Sequence, residues 1–286
     1  MILFTTLAGA GQGLFLAVFF SPSPVMMRAG SVASLILLAA GLVASFFHLG
    51  RPERGWRAAA MWRTSWLSRE VIVLPLLMLL VFFFGLTLAP AMGWAAVIAA
   101  LALFICTGMI YACLPFLQEW RTPLTVVNFS ALGCASGLTA AAALAAWLEP
   151  VFVRQYVIAA LVAGAIAYVL RISSLIRNSR LRPKSTTQSA IGVRNPSVRQ
   201  IAQGAMGGSY NTREFFHHQP RVVVRAVRWF FLAFVFPVPA LLLIFTSSFE
   251  GLGGAFLTQY AGLLAERWYF FAEAKHPQNL YYQAIA

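Results

Sequence analysis

The side chains of this chain that are best able to exchange protons gather in one short stretch, from Phe46 to Glu70. It reads FFHLGRPERGWRAAAMWRTSWLSRE and holds one histidine, two glutamates, five arginines and three tryptophans. His48 and Glu70 lie near its two ends. Histidine and carboxyl side chains are the commonest general acids and bases, and the unperturbed pKa of histidine is near 6.5. The stretch therefore predicts a site of proton exchange, provided that the flanking elements bring its ends together.

The flanking elements have the composition of membrane helices. The chain is 60% hydrophobic and only 10% charged, and apolar runs of about 20 residues can cross a hydrocarbon core as helices. Strand-like alternation is absent from these runs, which argues against a barrel. The sequence thus predicts an all-α integral membrane bundle of eight transmembrane helices in a single domain, 1–286. The expected spans are about 2–20, 30–49, 70–89, 92–117, 125–147, 151–170, 229–248 and 252–272.

These spans place the two ends of the stretch at one membrane boundary. His48 ends the second span, and Glu70 begins the third just after Ser68, which we interpret as its N-cap. Antiparallel neighbours bring both groups to the same depth. Simpler interpretations stay open: an interfacial histidine, and a glutamate that favours the positive helix N-terminus or pairs with an arginine such as Arg51 or Arg69. The tryptophans are most simply an interfacial belt.

Basic residues fall almost entirely on one side of the predicted bundle. With eight spans, 19 of the 21 Lys and Arg lie on the side of the termini, and only Arg28 and Arg154 lie opposite. Since cytoplasmic connections retain Lys and Arg, both termini are predicted to be cytoplasmic. The arginines flank apolar spans, so the net charge of +13 indicates a basic face toward the lipid bilayer and no nucleic-acid partner.

The longest connection, 171–222, is basic and rich in Ser, Asn, Gln, Gly and Pro. It is either a solvated loop that enforces topology or a docking arm for an acidic soluble partner. Metal ligation is not predicted, because the three cysteines lie inside spans without a C-x-x-C pair. Gly133 and Gly137 predict close helix packing, whereas Pro115, Pro237 and Pro239 predict kinks or local re-pairing of backbone groups.

Four separated blocks of sequence resemble one family. HLGRPERGWRA with SWLSRE, then GMIYACLPFLQEWRTPLTVVNF, then YNTREFFHH, and finally ERWYFFAEAKHPQNLYY are similar to the pattern of the DmsC family. Members of this family are the membrane anchor subunits of dimethyl sulfoxide reductase-type molybdoenzymes. The resemblance runs from the second span to the C-terminus, in one order.

The resemblance implies a subunit of the bacterial inner membrane that exchanges electrons between membrane quinone and an iron–sulfur, ferredoxin-like subunit. That subunit is connected in turn to a molybdopterin catalytic subunit. Menaquinone or ubiquinone would be an exchangeable substrate, with no bound haem or iron–sulfur cluster in this chain. The family's quinol-site histidine and glutamate correspond to His48 and Glu70, and Arg51 could orient a quinone oxygen or the Glu70 carboxylate. Family members differ in the direction of insertion.

Two other classes and one question stay open. A haem b anchor would need two inward-facing histidines, and only His48 and His276 lie near span ends. A solute transporter is the other class, although no inverted repeat is visible. The direction of electron flow is also open: the complex could consume quinol in anaerobic respiration, or feed electrons into quinone as in sulfite oxidation.

Overall fold

A computed structural model describes residues 1–47, 52–182, 186–195, 197 and 220–274. All regular secondary structure in this part of the chain is helical, which confirms the all-α prediction. The α-helices are α1 (Ile2–Phe19), α2 (Pro24–Phe46), α3 (Trp66–Thr87), α4 (Pro90–Ala112), α5 (Pro123–Leu148), α6 (Val153–Ser179), α7 (Thr187–Ile191), α8 (Arg221–Val235), α9 (Pro237–Phe245) and α10 (Phe249–Glu273), and two 3-10 helices cover Pro52–Met61 and Pro150–Phe152.

Seven of the described helical segments are long and apolar enough to cross a membrane, and the protein is a multi-pass membrane protein. They are α1 to α5, the run Pro150–Ser179 and the run Val222–Phe245. The last run joins α8 and α9 across a break. α10 has 25 residues but is not among the seven, so the predicted number of eight spans is not confirmed.

Several helices begin or end at other residues than the approximate predicted spans. α6 runs on to Ser179, so the predicted loop 171–222 begins with nine helical residues, because polar residues can continue a helix beyond the apolar run. α4 ends at Ala112, five residues before the predicted end, and Pro115 lies outside it. α3 begins four residues earlier than predicted, with Ser65 as its N-cap; Ser68 is therefore not the cap.

Glycines let α1 and α5 cross at backbone contact. A Cβ atom added at Gly13 would overlap the backbone of Gly133, and one at Gly137 would overlap the backbone of Gly13. Only residues without a side chain allow this approach, which confirms the packing role of the Gly133 and Gly137 pair. The crossing fixes α5, which also packs against α4, α6 and α10, at the centre of the bundle.

A side chain of α10 provides a hydrogen bond at the helix break between α8 and α9. Phe236 lies between the two helices with φ −118° and ψ −77°, and Pro237 begins α9, so the predicted effect of the two prolines is confirmed. Pro239 has no N–H to offer the carbonyl four residues earlier. That carbonyl, on Val235, instead accepts a hydrogen bond of 3.3 Å from Gln259 Nε2. The side chain thus restores a buried backbone bond that the proline removes.

A loop, 113–122, closes one end of the bundle and is clamped by α6. The Arg177 guanidinium donates to the carbonyl oxygens of Gln118 at 3.0 Å, Arg121 at 3.4 Å and Glu119 at 3.5 Å. Trp120 Nε1 donates to the Phe270 carbonyl at 3.0 Å. The ends of α4, α6 and α10 and the start of α5 therefore meet beneath this loop, together with the start of α3, which packs against α4. We call this region the Glu70 end of the bundle.

Candidate functional site at the Glu70 end

Glu70 is buried one turn inside α3. Its N-cap, Ser65, accepts a hydrogen bond from Ser68 N at 3.4 Å, so α3 begins with a turn that carries Glu70 inward. Only 4% of Glu70 is exposed, and its Oε1 accepts a short hydrogen bond from Thr107 Oγ1 of α4. Ionisable groups inside a membrane bundle are costly and usually functional. The buried carboxyl group is therefore a candidate group for proton exchange.

The residues predicted to act with Glu70 or to pair with it are His48, Arg51 and Arg69. His48 and Arg51 fall between the end of α2 and the Pro52–Met61 helix, outside the described residues, so their joint placement with Glu70 stays a prediction. Arg69, the neighbour of Glu70, points away from it. Its guanidinium donates to the carbonyl oxygens of Trp62 and Arg63, each at 2.9 Å, which excludes a close Arg69–Glu70 pair.

The connection between α2 and α3 exposes tryptophans and arginines in pairs. Trp56 is 73% exposed and Trp62 is 52% exposed. The Arg57 guanidinium carbon lies 5.5 Å from the centroid of the Trp56 ring, and Arg63 lies 5.4 Å from that of Trp62. Exposed rings with arginines beside them suit a water–lipid boundary. The interfacial-belt interpretation stays a prediction, and these exposed rings are not packed against Glu70.

An aromatic cluster lies beside Glu70. Tyr111, one turn after Thr107 on α4, stacks on Phe129 of α5 with ring centroids 5.5 Å apart. Phe270 and Phe271 of α10 meet Tyr111 edge-on at 5.5 and 5.4 Å, and Trp120 stacks on Phe270 at 5.2 Å. Aromatic pairs of this geometry stabilise packing beyond the area they bury. The cluster therefore forms a well-packed apolar wall at the Glu70 end, next to the candidate site.

Behind this wall lies a buried ion cluster that the sequence analysis does not identify. Glu266 Oε1 is 2.8 Å from Arg171 Nε, and Glu266 Oε2 is 2.6 Å from Arg267 Nε. None of the three residues is more than 4% exposed. Glu273, at the end of α10, adds a second carboxylate near Arg171. The predicted spans put Arg171 in a loop and Glu266 at a membrane boundary, so the sequence does not bring them together. The signal that indicates pairing is an acid next to a base, Glu266 and Arg267, inside an apolar run.

A groove of about 410 Å³ opens at the opposite end of the bundle. Its walls come from α1, α5 and α6, with Phe20, Tyr156 and Cys134 among the lining residues. The described lining residues include no acid and no histidine. Groups of three possible metal ligands are likewise absent from the described part of the chain. The acid–base chemistry of the described residues is therefore concentrated at the Glu70 end.

The sequence pattern and the fold define a class. The sequence model of the DMSO reductase anchor subunit (DmsC) family matches residues 1–272, and the chain belongs to this family, as the resemblance predicted. A sulfite dehydrogenase subunit of Allochromatium vinosum is 51% identical over 321 aligned residues, which cover 100% of this chain and 98% of that protein. The chain is therefore similar over its whole length to one subunit of a sulfite dehydrogenase.

Proposed function

We propose that this protein is the membrane anchor and quinone-reactive subunit of a molybdoenzyme complex. It passes electrons between the quinone pool and an iron–sulfur subunit, which is connected to a molybdopterin catalytic subunit. The observation that carries the proposal is the buried Glu70 carboxyl group, hydrogen-bonded to Thr107, in a chain of the DmsC family. A carboxyl group in this setting is suited to bind a quinone, since the two carbonyl oxygens of a quinone need hydrogen-bond partners that can exchange protons.

In this proposal each residue of the site has a separate role. Glu70 binds one quinone oxygen and exchanges a proton with it, and His48 does the same for the other. Arg51 orients a quinone oxygen or the Glu70 carboxylate. The chain's own part of the reaction is to bind the quinone head and to move protons, because the electrons come from a cluster in another subunit.

We further propose that electrons run from sulfite to quinone, as the name of the 51% identical relative suggests. Oxidation of sulfite to sulfate takes up one water and releases two electrons and two protons, and reduction of quinone to quinol consumes two of each. Membranes that contain the whole complex are expected to reduce a soluble quinone analogue when sulfite is added, and membranes without this chain are expected not to. Quinol-driven reduction of dimethyl sulfoxide without sulfite activity would contradict this direction.

The topology that we propose has eight crossings, with α10 as the eighth. α10 packs against α5, α8 and α9, and 19 of 21 Lys and Arg then lie on one side, so both termini are cytoplasmic. A periplasmic phosphatase fused after Ala286 is expected to be inactive, and a fluorescent protein there to be bright. With only seven crossings, the same phosphatase fusion would be active while one inserted after Arg182 stayed inactive.

The basic connection after α6 is proposed to dock the iron–sulfur subunit. Arg177 already clamps the 113–122 loop, so the test uses residues beyond it: Arg180, Arg182 and Lys184. Replacing all three with glutamine is expected to release the soluble subunits from membranes, more so as salt rises. The matched control replaces Arg28 and Arg154, on the opposite side. Retention of the subunits at high salt by the triple variant would leave the connection as a topology signal alone.

A further inference from the structure

The ion cluster of Arg171, Glu266 and Arg267 has no role in the proposed electron transfer, yet it is the largest group of buried charges in the described structure. Charges in such a position are expensive, and apolar residues of the same volume are often as stable or more stable. Stability alone therefore does not account for three of them. Buried charges also fix geometry, and in membrane bundles they mark functional regions.

Three contacts and one turn of α4 connect this cluster to Glu70. The Arg267 guanidinium carbon lies 3.8 Å from the centroid of the Phe129 ring. Phe129 stacks in turn on Tyr111, with an angle of 24° between the rings. Tyr111 and Thr107 are four residues apart on α4 and so share one face of that helix. Thr107 donates its hydroxyl hydrogen to Glu70.

The ion pairs hold Arg267 in the orientation that these contacts need. The Glu266 carboxylate forms ion pairs with the Nε atoms of both arginines. Arg267 belongs to α10, as Glu266 does, and Arg171 belongs to α6. The flat guanidinium of Arg267 is thereby fixed over the Phe129 ring, where a desolvated cation–π contact is strong. A lysine at this position would retain the charge and lose the planar stacking. The arrangement is therefore specific to arginine.

We propose that Glu266 and Arg171 hold Arg267 against Phe129, and that this contact positions the Phe129–Tyr111 pair as one wall of a quinone site beside Glu70. The inference rests on the proposed quinone function. A quinone head is a flat ring, and aromatic side chains bind such rings by offset stacking. Tyr111 and Phe129 supply that wall, and Arg267 acts through them as a positioning residue without touching the ligand.

The test measures kcat and KM of the purified, assembled complex with a soluble quinone analogue. Arg267→Lys and Phe129→Leu are each expected to raise KM for the analogue about tenfold, while kcat stays within about twofold. This is less than the roughly thirtyfold that the full free energy of one desolvated cation–π contact would give, because the contact acts on the ligand indirectly. The double variant is expected to be no worse than Phe129→Leu alone, because Arg267 acts on the wall only through the Phe129 ring. Glu149→Gln is the control, since it alters only the Ser23–Glu149 hydrogen bond of 2.9 Å at the other end of the bundle.

A purely structural role predicts a different result. Less complex would assemble, but each assembled complex would have the wild-type KM, and that outcome overturns the proposal, as does an additive double variant. If Arg267→Lys fails to assemble, Phe129→Leu decides alone, by the same KM criterion. Failure of this inference is distinguishable from failure of the proposed function. If both variants have a normal KM while Glu70→Gln is slow, only the proposed aromatic wall is contradicted. If Glu70→Gln has normal turnover, the proposed quinone site itself is contradicted.

Discussion

Replacing Glu70 with glutamine is expected to lower quinone-linked turnover about a hundredfold or more, which is typical of the loss of a general acid or base. Glutamine has nearly the same shape and can still accept the hydrogen bond that Thr107 donates. It cannot exchange a proton with the quinone. The complex is therefore expected to assemble in normal amounts, with a lower kcat and a nearly unchanged KM for quinone.

Three measurements make this result specific. Electron transfer from substrate to a soluble artificial acceptor, which bypasses this subunit, is expected to continue at the wild-type rate. Glu53→Gln is the matched control, because Glu53 lies in the same stretch and 67% of its side chain is exposed; it is expected to have no effect. His48→Ala is expected to be slow as well, and to bind quinone-site inhibitors more weakly. Normal turnover in both Glu70→Gln and His48→Ala would place the quinone elsewhere.

The long helices could be predicted from sequence because the membrane imposes a simple rule. About 20 apolar residues are needed to cross the hydrocarbon core, and each of the seven candidate spans contains or overlaps such a run. The glycine pair at 133 and 137 and the proline break near 237 are equally visible, since no other residue type has the same backbone effect. These features depend on local sequence alone.

Helix ends could not be predicted in the same way. Outside the apolar region, water and protein groups can satisfy the backbone, so a helix continues or stops according to its tertiary contacts. α6 continues through polar residues to Ser179, and Arg177 uses that extension to hold the 113–122 loop. α4 stops at Ala112, which frees the same loop to cover the aromatic cluster.

The candidate site could be predicted only in part, because its contacts join residues that are far apart in the sequence. Glu70 is conspicuous as an acid at the start of an apolar run, but its partner Thr107 is an ordinary residue inside another helix. The ion cluster joins Arg171 of α6 to Glu266 of α10. These residues are almost a hundred positions apart, and pairing at that distance cannot be inferred from sequence spacing. Assigning Arg171 to a loop hides the cluster, although Glu266 and Arg267 together in a predicted span require partners.

The second large effect is expected from breaking the ion cluster. Glu266→Gln leaves the Arg171 and Arg267 guanidinium groups buried without their shared carboxylate. Removing one partner of a buried ion pair typically lowers the free energy of unfolding by about 3–5 kcal/mol, a large fraction of the stability of most proteins. We expect little full-length protein in membranes, and a much lower unfolding temperature for what remains. Glu250→Gln, on the exposed start of α10, is the matched control and should change neither.

Replacing the whole cluster separates charge from packing. In the triple variant Arg171→Met, Glu266→Leu and Arg267→Met, all three charges of the cluster are removed, and the side chains still fill the space between α6 and α10. Glu273 loses its neighbour Arg171 but keeps its hydrogen bond with Asn178. Stability is therefore expected to return toward that of the wild-type protein. The KM for quinone is expected to be raised as in Arg267→Lys, because the guanidinium over Phe129 is gone. A triple variant as unstable as Glu266→Gln would mean that the charges stabilise the bundle directly, and one with wild-type KM would mean that they do not position the aromatic wall.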